Sequence, residues 1–334
     1  RHGLIMATYK EIKGTQIEVL ASDPSNPISG QVWYNSTSNV LKGQGATTTG
    51  SWSTVNSINQ ARIIAGGCGT GSAMLIAGGN SSFNSYNDYD DTEIWNGTNW
   101  TEVNDINLAR AGVGVAGTST AAIIYGGSPY PNYTSNVELW NGTNWTETTN
   151  MNTARGYMGS AGQTSTAAMG FGGGPSNATE IWNGSNWTEV NDFSSSPSSN
   201  RGGVGANTTA ALAFGGGPGY VANTESWNGS NWTEVNNMGA PGGLLQSIGN
   251  SYDDCIAAGG AGASDYNATV EQWNGTNWTE VADLPAATRA QSVGGNGSTT
   301  SGLSVAGQQP PGAMALVYEW VGPGSPTTVT FTDS

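Results

Sequence analysis

One hexapeptide dominates the chain. Trp95-Asn-Gly-Thr-Asn-Trp100 recurs, with Ser for Thr in two copies, at Trp140–Trp145, Trp182–Trp187, Trp227–Trp232 and Trp273–Trp278. Successive copies begin 45, 42, 45 and 46 residues apart. A period of that length marks an array of small units, none of which can bury its apolar face alone. Within each copy, Asn-Gly between two short runs is a strong hairpin signal.

Each unit reads as four short strands. Upstream of the hexapeptide lies an apolar run ending in Gly-rich sequence, as at Ala121–Gly127, Ala167–Gly174, Ala210–Gly217 and Cys255–Gly260. Further upstream stands an Arg: Arg62, Arg110, Arg155, Arg201 or Arg289. Strand a follows the Arg, strand b is the apolar run, and strands c and d flank the Asn-Gly turn. No stretch sustains a 3.6-residue period, and four short strands in about 45 residues suit one blade of a β-propeller.

The Trp inventory supplies the count. Strand-c positions are Trp95, Trp140, Trp182, Trp227, Trp273 and Trp320; strand-d positions are Trp52, Trp100, Trp145, Trp187, Trp232 and Trp278. The two sets are out of step by one. The sequence therefore predicts an all-β, six-bladed propeller of four-stranded blades. Its ring is closed by residues 51–55, which complete the last blade (289–321) and leave no free sheet edge. Residues 1–50 are predicted to be an extended arm with a hairpin over 31–42, and 322–334 a C-terminal tail.

The pattern resembles kelch-repeat propellers, whose unit has an Arg before the first strand, Gly-Gly after the second, then an aromatic and a Trp. Arg110, Gly126-Gly127, Trp140 and Trp145 occupy that pattern, and the likeness covers roughly residues 51–321. The aromatic pair is closer together here, Trp replaces the usual Tyr, and the fifth unit has Gly242-Gly243 in place of the Arg. The resemblance implies a fold and no activity, since one fold hosts many functions.

Composition narrows the function. Leu, Ile, Val and Phe total only 51 of 334 residues, a level that borders on disorder; 13 Trp argue for order instead. Nine Lys and Arg against 24 Asp and Glu disfavour nucleic-acid binding. No apolar run is long enough to insert in a membrane as a helix. The one His, His2, lies outside the repeats, which leaves little scope for acid–base or metal chemistry. The reading expects no enzyme activity, cofactor or metal. Asp88, Asp90 and Asp91 lack the spacing of a calcium loop, and Cys68 and Cys255 fall in units that are not neighbours.

The Trp residues are expected to pack between blades. The five Arg residues, taken to share one phase, are expected to form a partial ring at a channel mouth. There they would pair with the repeated Glu residues, either two places before each strand-c Trp (Glu93, Glu138, Glu180, Glu225, Glu271) or two after each strand-d Trp (Glu102, Glu147, Glu189, Glu234, Glu280), or bind an anion or acidic sugar. The Asn-Gly-Thr/Ser and Asn-Trp-Thr triplets match glycosylation acceptors and read as turn chemistry.

Strand order puts the uniform c–d turns at one face and the variable b–c loops at the other. The b–c loops carry Tyr86, Tyr89, Tyr130, Tyr133, Tyr220 and Tyr266 among Ser, Asn, Gly and Pro. This combines rigid aromatic anchors with adaptable polar contacts, so these six Tyr are the candidate ligand-binding residues. Both ends of the repeat array fall on the c–d face, which suggests a mounting side.

The arm carries Gly30-Gln-Val-Trp-Tyr-Asn-Ser-Thr37 followed by Leu41-Lys42. This run is similar to a segment that recurs in tailed-phage virion proteins. The likeness implies location on the virion surface, other virion proteins as partners of the arm, and a host-surface glycan or protein as target of the propeller. A capsid cement protein with no ligand of its own is the alternative. A kelch-type carbohydrate-active enzyme fits less well, because a copper site needs His ligands and a sialidase-like site needs a tight Arg cluster.

Overall fold

The computed structural model describes residues 17–25, 31–46, 49–83, 87–174, 176–193, 199–217, 219–262, 265–292, 297–323 and 326–331. The described chain is all-β, without a helix. It divides into two compact units: Gly50–Gly322, and the chain on either side of it.

In the smaller unit, Val32–Asn35 and Val40–Ala46 form the expected hairpin. Glu18–Leu20 adds parallel to one side. The other side corrects the expectation of a separate tail: Pro326–Phe331 pairs antiparallel with Val40–Ala46, from Phe331 opposite Leu41 to Pro326 opposite Ala46. A Thr- and Val-rich segment has high strand propensity, and it covers an otherwise unpaired edge. Trp33 is fully buried and donates from Nε1 to Asp23 Oδ1 at 3.0 Å. Asp23 also accepts from Lys42 Nζ (2.6 Å) and Asn35 Nδ2 (2.8 Å), and these bonds, that of Lys42 first, lower its pKa to about 2.

The larger unit holds five four-stranded antiparallel sheets, arranged like propeller blades and each built from one repeat in the order a–b–c–d. The first comprises Gly66–Thr70, Ala73–Ala77, Thr92–Trp95 and Trp100–Val103. The b strands begin at Ala121, Ala167, Ala210 and Cys255, where the apolar runs begin. A further sheet has three strands: Ser301–Val305, Val317–Val321 and, from the far end of the sequence, Ser51–Val55. In it Trp52 stands opposite Trp320, as Trp100 stands opposite Trp95. Residues 293–296, where a strand a would fall, lie outside the described residues.

Six apolar clusters each join two successive sheets, and a seventh gathers Ile63, Ile64, Ala111, Leu244, Ala261 and Ala290 of the links. Leu75 and Ala77 of the first pack with Val115, Ile124, Trp140 and Trp145 of the second. Ile256 and Val270 pack with Tyr318 and Trp320, while Leu303, Val305 and Val317 pack with Met74, Ile76, Trp95 and Trp100. Each strand-c indole also donates to a carbonyl of its own a–b turn, as Trp95 Nε1 does to Gly71 O (3.0 Å) and Trp320 Nε1 to Thr299 O (2.8 Å). Gly opening strand a makes room for the aromatic ring ending strand b. A Cβ on Gly159 would lie 2.1 Å from the Phe171 ring, and one on Gly202 2.2 Å from the Phe214 ring. Aromatic area set over Gly replaces aliphatic packing, so a chain poor in Leu, Ile and Val still fills its core.

The Asn-Gly turns act as staples. Asn96 Oδ1 accepts from the backbone of Thr98 and Asn99. Asn56, leaving the preceding strand d, donates to Thr98 O and Asn99 Oδ1, and Asn104, Asn191 and Asn236 repeat the bond one sheet on. The hexapeptide is thus turn and inter-sheet chemistry. The a–b turns share this end of the sheets, since Gly97 faces Ser72. The b–c loops and d–a links lie at the other end, where Gly79 N donates to Arg110 O and Ile63 bridges Asn80.

Candidate ligand-binding site

The d–a links meet in a circuit of backbone hydrogen bonds. Gly112 N donates to Ile64 O, Tyr157 N to Gly112 O, Asn200 N to Tyr157 O, Leu244 N to Asn200 O, Ala290 N to Leu244 O, and Ile64 N to Ala290 O. The bond lengths run from 2.7 to 3.1 Å, and the sixth returns to the first residue. All six residues have positive φ, between 47° and 62°. Five are not Gly, and each carries the steric cost of the left-handed region, about 1–2 kcal/mol. The circuit holds them there because every link must turn its N–H and C=O along the same circle.

This circuit sets the register of the links and corrects the phase of the Arg residues. Arg62, Arg110 and Arg155 stand two places before their circuit residue, Arg201 one place after, and Arg289 one place before. They do not share one phase. Loop lengths differ between repeats, so spacing from Trp does not reveal the shift.

Four Arg residues are buried and face the repeated Glu. Arg62 Nη2 lies 2.6 Å from Glu93 Oε1, Arg110 Nη2 3.1 Å from Glu138, Arg155 Nη2 3.3 Å from Glu180, and Arg201 Nη2 3.9 Å from Glu225. The first pair is the most completely satisfied. Arg62 also donates to Gln60 O, Gly78 O and Asp91 O, while Glu93 accepts from Asn59 and Gln60. Burial lowers the pKa of Arg110 to about 10 and lowers those of Arg155 and Arg201, against the pull of their Glu partners. In the fifth sheet Glu271 pairs with no Arg among the described residues and accepts from Gly239 N and Ala240 N instead.

Arg289 is different. Tyr318 occupies the position of the repeated Glu in its sheet, so no buried carboxylate awaits it. Its side chain is one-fifth exposed. Nε donates to Gln308 Oε1 at 3.0 Å, Nη1 lies 3.5 Å from the exposed Asp265 Oδ1, and the guanidinium lies 4.6 Å from the Tyr266 ring centroid and 5.3 Å from that of Phe83.

A cavity of about 420 Å³ lies against the circuit. Tyr157, Asn200 and Leu244 of the circuit line it, with Ser199 and Arg289 one place before circuit residues and Phe83, Tyr133 and Tyr220 from the b–c loops. A second cavity of about 240 Å³ adjoins it, shares Phe83, Tyr133 and Tyr157, and adds Tyr130, Asp88 and Asn80. Burial raises the pKa of Asp88, while a bond from Tyr130 N (2.8 Å) opposes the rise.

The candidate Tyr residues thus divide. Tyr133 and Tyr220 line the larger cavity, Tyr130 the smaller, and Tyr266 supports Arg289. Tyr130 and Tyr133 are exposed. Tyr89 is half-buried; it accepts from Gln60 Nε2 (3.0 Å) and lies beside Arg62. Tyr86 lies outside the described residues. Tyr157, Asn200 and Leu244 escaped the sequence reading, and Phe83 is not among its six candidate residues. Phe83 belongs by sequence to the first b–c loop, and its ring is a signal of the same kind as the Tyr residues. The other three were legible only through the circuit.

Carboxylate oxygens of Asp91, Glu102 and Asp105 lie within 4.8 Å of one another. They fall short of the six to eight oxygens that calcium takes. Cys68 and Cys255 are both buried free thiols. Comparison with protein-family models and with curated proteins gives no match to this chain.

Proposed function

We propose that this protein is a non-enzymatic virion structural protein of a tailed phage, in which a closed six-bladed, kelch-like propeller presents its b–c loops to a host-surface glycan or protein. The smaller unit docks on other virion proteins. Closure is supported by the six-bond circuit and by the pairing of Ser51–Val55 with Val317–Val321.

The observation that carries the reading is the contrast between the two ends of the sheets. One end bears near-identical Asn-Gly turns, stapled by Asn residues that leave the preceding strand d, and the chain enters and leaves the larger unit there, at Gly50 and Gly322. The other end bears loops that differ in every repeat, both cavities, and the exposed rings of Tyr130 and Tyr133. Uniform sequence suits mounting, and a concave aromatic surface with a few polar groups suits ligand recognition.

The test is attachment of the purified full chain to host cells, with Tyr130→Ala/Tyr133→Ala as the loop variant. Attachment that falls at least tenfold in the variant supports the proposal. Attachment unchanged by the variant, or none by either protein, favours the cement alternative.

A further inference from the structure

We infer that the 420 Å³ cavity binds a carboxylate-bearing sugar residue, with Arg289 holding the carboxylate and aromatic rings lying against the apolar faces of the sugar. The inference rests on the reading of the b–c end as the binding end and names the ligand class of that site. The cavity lies within the usual range for small ligands, about 300–1,000 Å³.

Among the described residues, Arg289 is the only charged one that lines it. Its counterparts are committed to buried Glu partners, whereas the equivalent position in the sheet of Arg289 is Tyr318, and among the described residues its counter-ion is the exposed Asp265. The Nε bond to Gln308, with Tyr266 and Phe83 beside the guanidinium, fixes the plane of the fork. Among the described residues, Nη2 makes no hydrogen bond. A planar fork with a donor edge to spare matches a carboxylate, and Arg is suited to that geometry.

The rest of the lining selects a sugar over a simple organic acid. Tyr133 and Tyr157 meet edge to face with centroids 6.4 Å apart, and Tyr220 adds a third ring. Pyranose rings present C–H faces to such walls and hydroxyls at their rims. Asn200 and Ser199, bonded to each other from Nδ2 to Oγ at 3.2 Å, add amide and hydroxyl groups to the same lining. The net charge of −15 repels anions at long range, so affinity for an acid must come from a local cation such as this one.

The experiment titrates the full chain with glucuronate, N-acetylneuraminate and glucose, followed by saturation-transfer NMR and calorimetry, and repeats the series on Arg289→Gln. At least one acid is expected to bind at least tenfold more tightly than glucose. The variant should lose about tenfold or more for the acid, the worth of a charge-assisted bond, and leave glucose unchanged. Equal affinity for glucose and the acids overturns the assignment, as does full acid affinity in the variant or absence of binding by both acids. If near-UV circular dichroism shows that Arg289→Gln is misfolded, Tyr133→Glu takes its place. It sets a like charge in the wall and should weaken the acid selectively; retained acid affinity overturns the assignment. Neutral glycan binding that Tyr133→Ala removes would defeat the acid assignment and leave the binding end standing. No sugar binding together with no host-cell attachment would defeat both.

Discussion

Trp232 Nε1 donates to Thr179 Oγ1 at 3.0 Å, joining strand d of one sheet to strand c of the sheet before it, 53 residues earlier. Trp145 makes the same bond to Thr92 and Trp278 to Thr224. The series breaks at Trp100 and Trp187, whose buried indole nitrogens have no partner among the described residues. The equivalent positions there are Val317 and Val137, which offer no oxygen. Thr179→Val is expected to cost about 1–3 kcal/mol by orphaning a buried donor, and Val137→Thr to gain about 0.5–1.5 kcal/mol by satisfying one. Urea unfolding midpoints measure both; a stabilising Thr179→Val would refute this account of the interface.

Glu93 and Glu271 occupy one repeat position but differ in partner. Glu93→Gln leaves the buried Arg62 without a counter-charge, which is expected to cost about 3–5 kcal/mol. Glu271→Gln strands no cation and loses part of two backbone bonds, so its cost should be clearly smaller. Equal costs measured by chemical denaturation would show that the Arg62 pair matters no more than the turn bonds.

Alkali should destabilise the protein first through its two thiols, with the buried Tyr125 phenol, whose pKa burial also raises, adding to the loss above pH 10. Burial raises the Cys68 pKa from 9.0 to about 12 and that of Cys255 well above 9.0. A group whose pKa is raised by folding contributes stability that is intact below the unfolded value and lost as pH climbs toward the folded one. Loss should therefore begin near pH 9 and continue to about pH 12, at about 1.4 kcal/mol per pH unit per thiol. Arg110 acts in the opposite sense, and only above about pH 10, where its lowered pKa lets it shed its proton in the folded state first. Cys68→Ala should flatten the decline between pH 9 and 10. An unchanged slope in stability-against-pH measurements would remove the thiols from the explanation.

The repeat was legible because it is carried by short-range chemistry. Trp, Asn-Gly and the apolar b runs each specify a strand or turn within a few residues, so the structure starts strands b at Ala121, Ala167 and Ala210 as the sequence suggests. Trp52 could be matched to Trp320 because each lacked a partner at hairpin spacing. What escaped depends on long-range register. The displacement of Arg201 and Arg289 becomes visible only against the positive-φ residues of the circuit, which range from Ile to Gly and share no side-chain signature. The pairing of Pro326–Phe331 with Val40–Ala46 joins segments nearly a chain length apart, outside any repeat. Tyr157 followed an Arg and a Gly in a link, where nothing local distinguishes a cavity wall from a turn.

The most direct test of the functional account is a density map of intact phage particles carrying this chain, at a resolution that separates strands. The account predicts the Asn-Gly turns around Asn96 and Asn141 toward the particle, and the b–c loops bearing Tyr130, Tyr133 and Tyr220 free at its surface. A map with those loops packed against the particle and the Asn-Gly turns outward, or particles that lack the chain, would contradict it.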